Sequence, residues 1–299
     1  MPAHAGNLPK KQYPRLMGFA TLISAQEAVP HLDDERWVFV DCRFTLSDPD
    51  RGQAEYRESH IAGAAYAHLD RDLSGPPTPG VTGRHPLPAI DALAATLGRL
   101  GIDGSRQVVA YDASTGAMVA ARLWWLLKWL GHDAVAVLDG GMSAWKTAGL
   151  PCGKGEPARV ARTFRAAVRP EMVVDAGAVM ALRQDASWTL LDVRSRERFQ
   201  GKNETIDPVA GHIPGARSAP YAESLLADGR FRDSSELAGL FEIAARGRDA
   251  AHTVFYCGSG VTAAHGVLAN AHAGRGMARL YPGSWSEWIT DPRRPIATE

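Results

Sequence analysis

The chain has 299 residues, enough for two domains of ordinary size, and its 45% hydrophobic and 22% charged residues are typical of a globular protein. Its formal net charge is zero, so the composition predicts binding neither to nucleic acid nor to a membrane surface. Three cysteines, an odd and small number, argue against a disulfide framework and predict a reducing, cytoplasmic location.

Short apolar runs alternate with helical patterns along the chain. Ser24 and Glu27 predict a capping box at the first helix, and Asp175 predicts a cap for a helix from residue 176. The most apolar helix, residues 117–131, is too short to span a bilayer and is predicted to lie in the core. Further helices are predicted at 236–245 and 261–273, and strands at 37–41, 108–112, 134–140, 188–193 and 253–257. This alternation predicts an α/β fold of mostly parallel sheets flanked by helices.

The same series of motifs occurs twice in the same order. The matching pairs are WVFVDCR (37–43) with WTLLDVR (188–194), HIAGA (60–64) with HIPGA (212–216), VVAYDAS (108–114) with TVFYCGS (253–259), and LDGGMSAW (138–145) with YPGSWSEW (281–288). We therefore predict two tandem copies of one domain, at residues 16–150 and 167–296. The Pro-, Gly- and Arg-rich segment 150–166 is predicted to link them.

The segment CGSGVT follows the last predicted strand and precedes a helix. Ligands bind at the carboxyl ends of strands in parallel sheets, and this is where Cys257 lies. Gly258 and Gly260 permit positive φ, so successive N–H groups can form an anion nest at the helix N-terminus. A thiolate held there is a good nucleophile, to which the hydroxyls of Ser259 and Thr262 could donate hydrogen bonds.

The cysteines also allow other interpretations. Free cysteines are mostly buried and inert, which remains the interpretation for Cys42 in its strand and for Cys152 in the linker. Cysteine phosphatases also place the nucleophile in such a loop, but they need an arginine six residues later to clamp phosphate. Here that position is Ala263, so a sulfur-sized target fits better than a phosphate.

The two copies, the DVR and GHIPGA motifs of the second copy and the loop CGSGVT resemble two-domain rhodanese-type sulfurtransferases, in the 3-mercaptopyruvate sulfurtransferase branch. The resemblance extends from about Leu16 to Ile296 and implies two tandem rhodanese-like domains. It also implies that Cys257 takes sulfur from a small-molecule donor, 3-mercaptopyruvate, as a persulfide. An acceptor such as cyanide, a thiol or thioredoxin then removes the sulfur, and neither cofactor nor metal is needed.

The resemblance also implies roles for residues outside the loop. In SRERFQG, Arg198 matches an arginine that binds the donor carboxylate, and Arg194 of the DVR motif is a structural partner of an acidic group or reaches the site. The backbone and side chains of 258–262, with Val261 and Thr262 at the end of the loop, line the donor site. Asp112 stands where the second copy has Cys257, so the N-terminal domain is expected to be catalytically silent and to cover the site.

Two features depart from the family pattern or stay open. A second substrate arginine is expected nine residues after the first, but that position is Asp207, and Lys202 is a candidate substitute. The family further implies a Ser-His-Asp relay in which Ser259 pairs with His60 and with Asp50 or Asp48. Alternatively, His60 only caps a turn, because an equivalent histidine occurs in the second copy.

Three functions therefore remain open from the sequence. The first is a 3-mercaptopyruvate sulfurtransferase, favoured by Gly-Ser after Cys257. The second is a thiosulfate:cyanide sulfurtransferase on the same scaffold, favoured by the missing second arginine. The third is a sulfur carrier or regulatory binding protein without catalytic activity.

Overall fold

The structure is a computed structural model that describes residues 18–116 and 119–298. Among these residues, seven strands lie between positions 22 and 153. They are β1 (Leu22–Ile23), β2 (Trp37–Asp41), β3 (His60–Ile61), β4 (Ala65–Tyr66), β5 (Gln107–Tyr111), β6 (Val135–Leu138) and β7 (Cys152–Gly153). In these described residues, β1, β6, β5, β2 and β4 lie side by side in a parallel sheet. The central strands β5 and β6 are fully buried, as expected of a parallel sheet covered on both faces.

Helices cover both faces of this sheet. They are α1 (Ala25–Ala28), α2 (Arg51–Glu58), α3 (Leu69–Asp72), α4 (Ile90–Arg99), α5 (Val119–Trp129) and α6 (Gly141–Thr147). The predicted capping box is confirmed at α1, because the Ser24 side chain accepts a hydrogen bond from the Glu27 N–H and the Glu27 carboxylate accepts one from the Ser24 N–H.

The second half repeats this plan. Its strands are β8 (Thr189–Asp192), β9 (Arg217–Ser218), β10 (Thr253–Tyr256) and β11 (Arg279–Leu280), and its helices are α7 (Ala176–Leu182), α8 (Arg196–Phe199), α9 (Ser234–Ala244), α10 (Thr262–His272) and α11 (Ser284–Trp288). Within the described part of the chain, the sheet has the order β11-β10-β8-β9, again all parallel. Asp175 caps α7 as predicted, accepting from the Ala178 N–H at 2.8 Å. The predicted α/β fold with two mostly parallel sheets flanked by helices is confirmed.

The two domains share one hydrophobic core. Helices α5 and α10 pack against each other, and a single cluster of buried side chains runs from β2 and β5 of the first domain to β10 of the second. Every residue of α5 is buried, because its apolar side chains point in all directions. This confirms α5 as a core helix. Ala117 and Met118, predicted to begin it, lie outside the described residues.

Part of the segment between the domains belongs structurally to the first domain. Cys152, predicted to lie in a linker, belongs to β7, which pairs antiparallel with β3, and its side chain is exposed. The domain limits 16–150 and 167–296 stay a prediction, and Leu16 lies outside the described residues. No helix in the described ranges is both long and apolar enough to cross a membrane.

Candidate active site

Cys257 lies at the carboxyl end of β10, in the loop that leads into α10. Its side chain is buried, and its Sγ accepts a hydrogen bond from the Gly260 N–H at 3.2 Å. Gly260 has φ = 77°, and a Cβ there would lie 2.2 Å from the Pro282 carbonyl oxygen, so only glycine fits. Of the two glycines that permit a positive φ, Gly260 adopts one and Gly258 does not.

The equivalent loop of the first domain shows what such a backbone turn holds. Asp112 occupies the position of the cysteine, and its own Oδ1 accepts from the N–H groups of Gly116 at 2.9 Å and Ser114 at 3.3 Å. The N–H groups of this loop thus point at a negatively charged atom. The Cys257 loop is built on the same plan, so it suits a thiolate or persulfide.

Ser259 begins a chain of polar contacts that crosses between the domains. Its Oγ lies 2.8 Å from His85 Nδ1, and His85 Nε2 lies 3.3 Å from Asp70 Oδ1. Burial, together with the charges of Arg122 and Arg84, lowers the pKa of His85 to about 4. The ring is therefore neutral at pH 7. With its proton on Nε2 facing Asp70, Nδ1 accepts from the Ser259 hydroxyl.

This arrangement corrects the predicted relay. His60 is buried elsewhere, with Nδ1 donating to the Tyr56 carbonyl oxygen at 2.8 Å and its ring stacked on Tyr56. Asp50 and Asp48 are exposed. The structure therefore does not bring His60 or Asp50 to Ser259. Its partner His85 lies in a loop without helical or strand periodicity and without a matching motif in the second copy, so nothing in the repeat pointed to it.

Two arginines converge beside Cys257. Arg198 on α8 donates from Nη2 to Asp207 Oδ2 at 2.9 Å and from Nε to Glu204 Oε2 at 2.9 Å. Arg84 of the first domain donates from Nη1 to the other oxygen of Asp207. The Nη2 atoms of Arg84 and Arg198 lie 2.9 and 3.6 Å from where a Cβ on Gly258 would be. Because residue 258 is a glycine, both guanidiniums have room beside the loop.

Arg84, from the other domain, places a second guanidinium beside Arg198 where the local sequence lacks an arginine. Asp207, at the expected position, carries a buried carboxylate that bridges Arg84 and Arg198. Lys202, the candidate substitute, is exposed and its Nζ contacts Gln200 Oε1 at 3.4 Å. The positive charge that the local sequence lacks comes from Arg84, more than a hundred residues earlier in the chain, so the motif around Asp207 could not reveal it.

Arg194 has a structural environment. It is buried and pairs with Asp192 through Nη2 and Oδ2 at 2.6 Å, and it donates to the Gly211 carbonyl oxygen at 2.7 Å. Arg43 and Asp41 of the first copy make the same pair at 2.6 Å. An interaction that occurs in both domains cannot be specific to a donor site. Of the two alternatives, the structural partner of an acidic group therefore describes Arg194 better than a residue that reaches the site.

A small cavity of about 100 Å³ opens at the sulfur atom. The loop residues that line it are Cys257, Gly258, Ser259, Val261 and Thr262, joined by Arg84, His85, Arg198, Ile206, Phe44, Leu46 and Leu69. Gly260 contributes through its N–H to sulfur. The first domain therefore provides both charged and apolar walls of the cavity, in line with the expectation that it covers the site and shapes its rim.

Comparisons with known proteins agree with this architecture. The rhodanese-like domain family matches the chain twice, at residues 24–148 and 175–291. A probable 3-mercaptopyruvate sulfurtransferase from Pseudomonas aeruginosa is 48% identical over 283 residues, 94% of this chain and 99% of that protein. A putative thiosulfate sulfurtransferase, SseB, from Mycobacterium tuberculosis is 41% identical, over 86% of this chain and 89% of that protein.

The fold agrees as well. The solved structure of 3-mercaptopyruvate sulfurtransferase from Leishmania major superimposes with a TM-score of 0.81 and 33% identity, over 92% of this chain and 76% of that one. Both the sequence matches and the superposition span the two domains. The resemblance deduced from the motifs is confirmed, and the chain belongs to the rhodanese-type sulfurtransferases with two rhodanese-like domains.

Proposed function

We propose that the protein transfers sulfur from 3-mercaptopyruvate, by way of a persulfide on Cys257, to a thiophilic acceptor. The observation that carries this proposal is the meeting of three features in one cavity. These are the sulfur atom on its N–H loop, the pair Arg84 and Arg198, and the Ser259–His85 contact. A donor with a carboxylate, an oxo group and a thiol uses all three.

The donor carboxylate is assigned to the space between Arg84 and Arg198. Guanidinium groups bind carboxylates through paired charge-assisted hydrogen bonds, each worth about 1.5–3 kcal/mol. Both arginines lie on the Gly258 side of the loop, within reach of a small donor whose thiol contacts Cys257. Asp207 already satisfies part of each guanidinium, so the donor carboxylate joins an existing network.

The chemical step follows from this placement. The Cys257 thiolate attacks the donor sulfur, the carbon–sulfur bond breaks, and its electron pair passes into the carbon chain as the enolate of pyruvate. The Ser259 hydroxyl, which donates to His85 Nδ1 at rest, would rotate its single proton toward the oxo oxygen as negative charge develops there. The enolate takes the proton of the former donor thiol and leaves as pyruvate, and the persulfide anion faces the Gly260 N–H.

The acceptor then attacks the outer sulfur and regenerates the Cys257 thiolate. Cyanide would leave as thiocyanate, and a thiol, including that of thioredoxin, would leave as its own persulfide. Two half-reactions through one covalent intermediate predict ping-pong kinetics. Cys42, Cys152 and Cys257 are free thiols, which supports the cytoplasmic location that we propose.

Thiosulfate is the second candidate donor, because the relative from Mycobacterium tuberculosis is named a putative thiosulfate sulfurtransferase. Thiosulfate is a small dianion. In this cavity Arg84 and Arg198 both pair with Asp207, and Arg198 also pairs with Glu204, so little positive charge is left to balance a second negative charge on the donor. This balance favours the monoanionic 3-mercaptopyruvate.

The proposal is tested by comparing pyruvate release from 3-mercaptopyruvate with thiocyanate formation from thiosulfate and cyanide. Cys257→Ser should abolish both, because the hydroxyl is a far weaker nucleophile, whereas Cys152→Ser, which removes an exposed thiol, should leave both unchanged. Mass spectrometry after donor treatment should find one added sulfur atom on the peptide that contains Cys257. Sulfur on Cys42 or Cys152 would contradict the mechanism. A protein that takes up no sulfur from either donor would instead be a binding protein.

A further inference from the structure

Arg122 is a buried cation that the mechanism above leaves unused. It lies on α5 of the first domain and is fully buried. Its Nη1 donates to the Gly260 carbonyl oxygen and its Nη2 to the His85 carbonyl oxygen, each at 3.2 Å. Its buried Nε has no hydrogen-bond partner among the described residues. One side chain thus holds both the cysteine loop and the segment that carries His85.

Neutral carbonyl groups do not balance the charge of this guanidinium. In the part of the chain that the structure describes, no Asp or Glu oxygen lies within 4 Å of Arg122. An ionised side chain buried without a counter-charge costs several kcal/mol. Burial lowers the pKa of Arg122 to about 10, and the negative charge of a Cys257 thiolate opposes this shift. The arginine remains charged at neutral pH and needs an anion nearby.

The other charged groups around Cys257 already have partners. Arg84 and Arg198 both pair with Asp207, and Arg198 also pairs with Glu204. His85, with its lowered pKa, is neutral at pH 7. Of the cations that approach the loop within the described residues, Arg122 is the one without a carboxylate.

The Cys257 sulfur, a thiolate in the proposed reaction, is linked to Arg122 through Gly260. Gly260, whose carbonyl oxygen accepts from Arg122, is also the residue whose N–H donates to Cys257 Sγ. The sulfur, Gly260 and the guanidinium therefore form one continuous contact chain in a region closed to solvent, where charges interact more strongly than in water.

We propose that Arg122 is the buried counter-ion of Cys257, stabilising its thiolate and then its persulfide anion from the first domain. This inference rests on the proposed role of Cys257 as sulfur carrier. Arg122 acts through its charge and by fixing the loop, so it is a positioning residue rather than one that touches the donor. The silent domain would in this way control the reactivity of the nucleophile in the other domain.

The test uses the full chain with Arg122→Met, which keeps the length of the side chain, and Arg122→Lys, which keeps its charge. The matched control is Lys128→Met, which removes another buried cation of α5 that is bound instead to the Asp133 carbonyl oxygen at 2.9 Å. The rate at which iodoacetamide alkylates Cys257 is followed against pH by peptide mass spectrometry. Circular dichroism checks that each variant folds.

Arg122→Met should move the midpoint of the alkylation profile about 1–2 pH units higher, because a nearby buried opposite charge favours the ionised form by about this amount. At a pH below both midpoints, alkylation should then be about ten- to a hundredfold slower. Arg122→Lys should retain most of the wild-type profile, and Lys128→Met should retain all of it. An unmoved midpoint in a folded Arg122→Met protein overturns the proposal, as does an equal shift in Lys128→Met.

A second measurement serves if Arg122→Met does not fold. A thiolate stabilised only in the folded state makes the wild type progressively more stable than Cys257→Ser as pH rises toward about 8.5, the value at which an unfolded cysteine ionises. A stability difference that stays flat with pH overturns the proposal. Sulfur uptake by Cys257 in the wild type is recorded in parallel. If that uptake fails, the proposed function falls, whereas normal uptake with an unmoved midpoint removes only the role of Arg122.

Discussion

Asp207 offers the sharpest test of how the site selects its donor. Its carboxylate is 1% exposed and accepts from Arg198 Nη2 at 2.9 Å and from Arg84 Nη1. Asp207→Asn keeps the size of the side chain but removes its charge, so Arg84 loses its counter-charge and Arg198 keeps only Glu204, which leaves more positive charge for an anionic donor. We expect thiosulfate, a dianion, to gain more from this change than the monoanionic 3-mercaptopyruvate.

The magnitude follows from charge and distance. One unit charge at about 4 Å contributes roughly 4 kcal/mol at an effective dielectric of about 20. Solvent in the open cavity and the cost of desolvating the donor reduce this to about 1–2 kcal/mol. Thiosulfate carries one negative charge more than 3-mercaptopyruvate, so its binding gains this contribution one additional time. The ratio of the two kcat/KM values should therefore move about tenfold toward thiosulfate.

The assay measures pyruvate from 3-mercaptopyruvate and thiocyanate from thiosulfate under the same buffer and salt. Asp34→Asn is the matched control, because it removes a carboxylate from an Asp–Arg pair whose Arg36 side chain is exposed. A thermal melt checks that the variant folds, since Arg84 loses its counter-charge and Arg198 loses one of two. A folded Asp207→Asn protein that forms the persulfide but keeps the wild-type ratio would refute the charge argument.

Three further predictions concern single side chains. The pKa of His85 is about 4 in the folded protein and about 6.5 in the unfolded chain, so the unfolded chain binds more protons between these pH values. The free energy of unfolding should therefore fall as pH drops through this range. His85→Asn should remove up to about 3 kcal/mol of that fall in denaturant titrations at several pH values. Gly260→Ala should destabilise the fold by about 1–3 kcal/mol or more, whereas Gly239→Ala in α9, where a Cβ meets nothing, should stabilise it by about 0.5–1 kcal/mol. Arg198→Ala should lower kcat/KM for 3-mercaptopyruvate about ten- to a hundredfold, and an unchanged value would mean that another group binds the carboxylate.

Sequence alone was sufficient where the signal is local or repeated. Alternating apolar strands and helices predicted the fold class, and the duplicated motifs predicted two similar domains. Ser24 and Asp175 were recognised as helix caps because a cap bonds to residues only three positions away. The loop CGSGVT likewise marked Cys257, because the strand, the turn and the helix that shape the loop are continuous in the chain.

Contacts between distant segments escaped the same reasoning. His60 and His212 share a motif, and each turns out to bond and stack within its own domain, so the repeat misdirected the search for the partner of Ser259. His85 and Arg84 belong to an irregular loop of the first domain that reaches the second.

Local patterns therefore determined the fold and the proposed nucleophile of this protein, whereas the tertiary structure decided which charges surround the sulfur. The packing of α5 on α10 brings Arg122 to the cysteine loop, and the docking of the first domain brings Arg84 to Asp207. The physical reason is that hydrogen bonds within a helix, strand or turn join neighbours in the chain, and their residue types can be read directly. Electrostatic interactions depend only on distance in space, which the order of residues does not show until the domains pack.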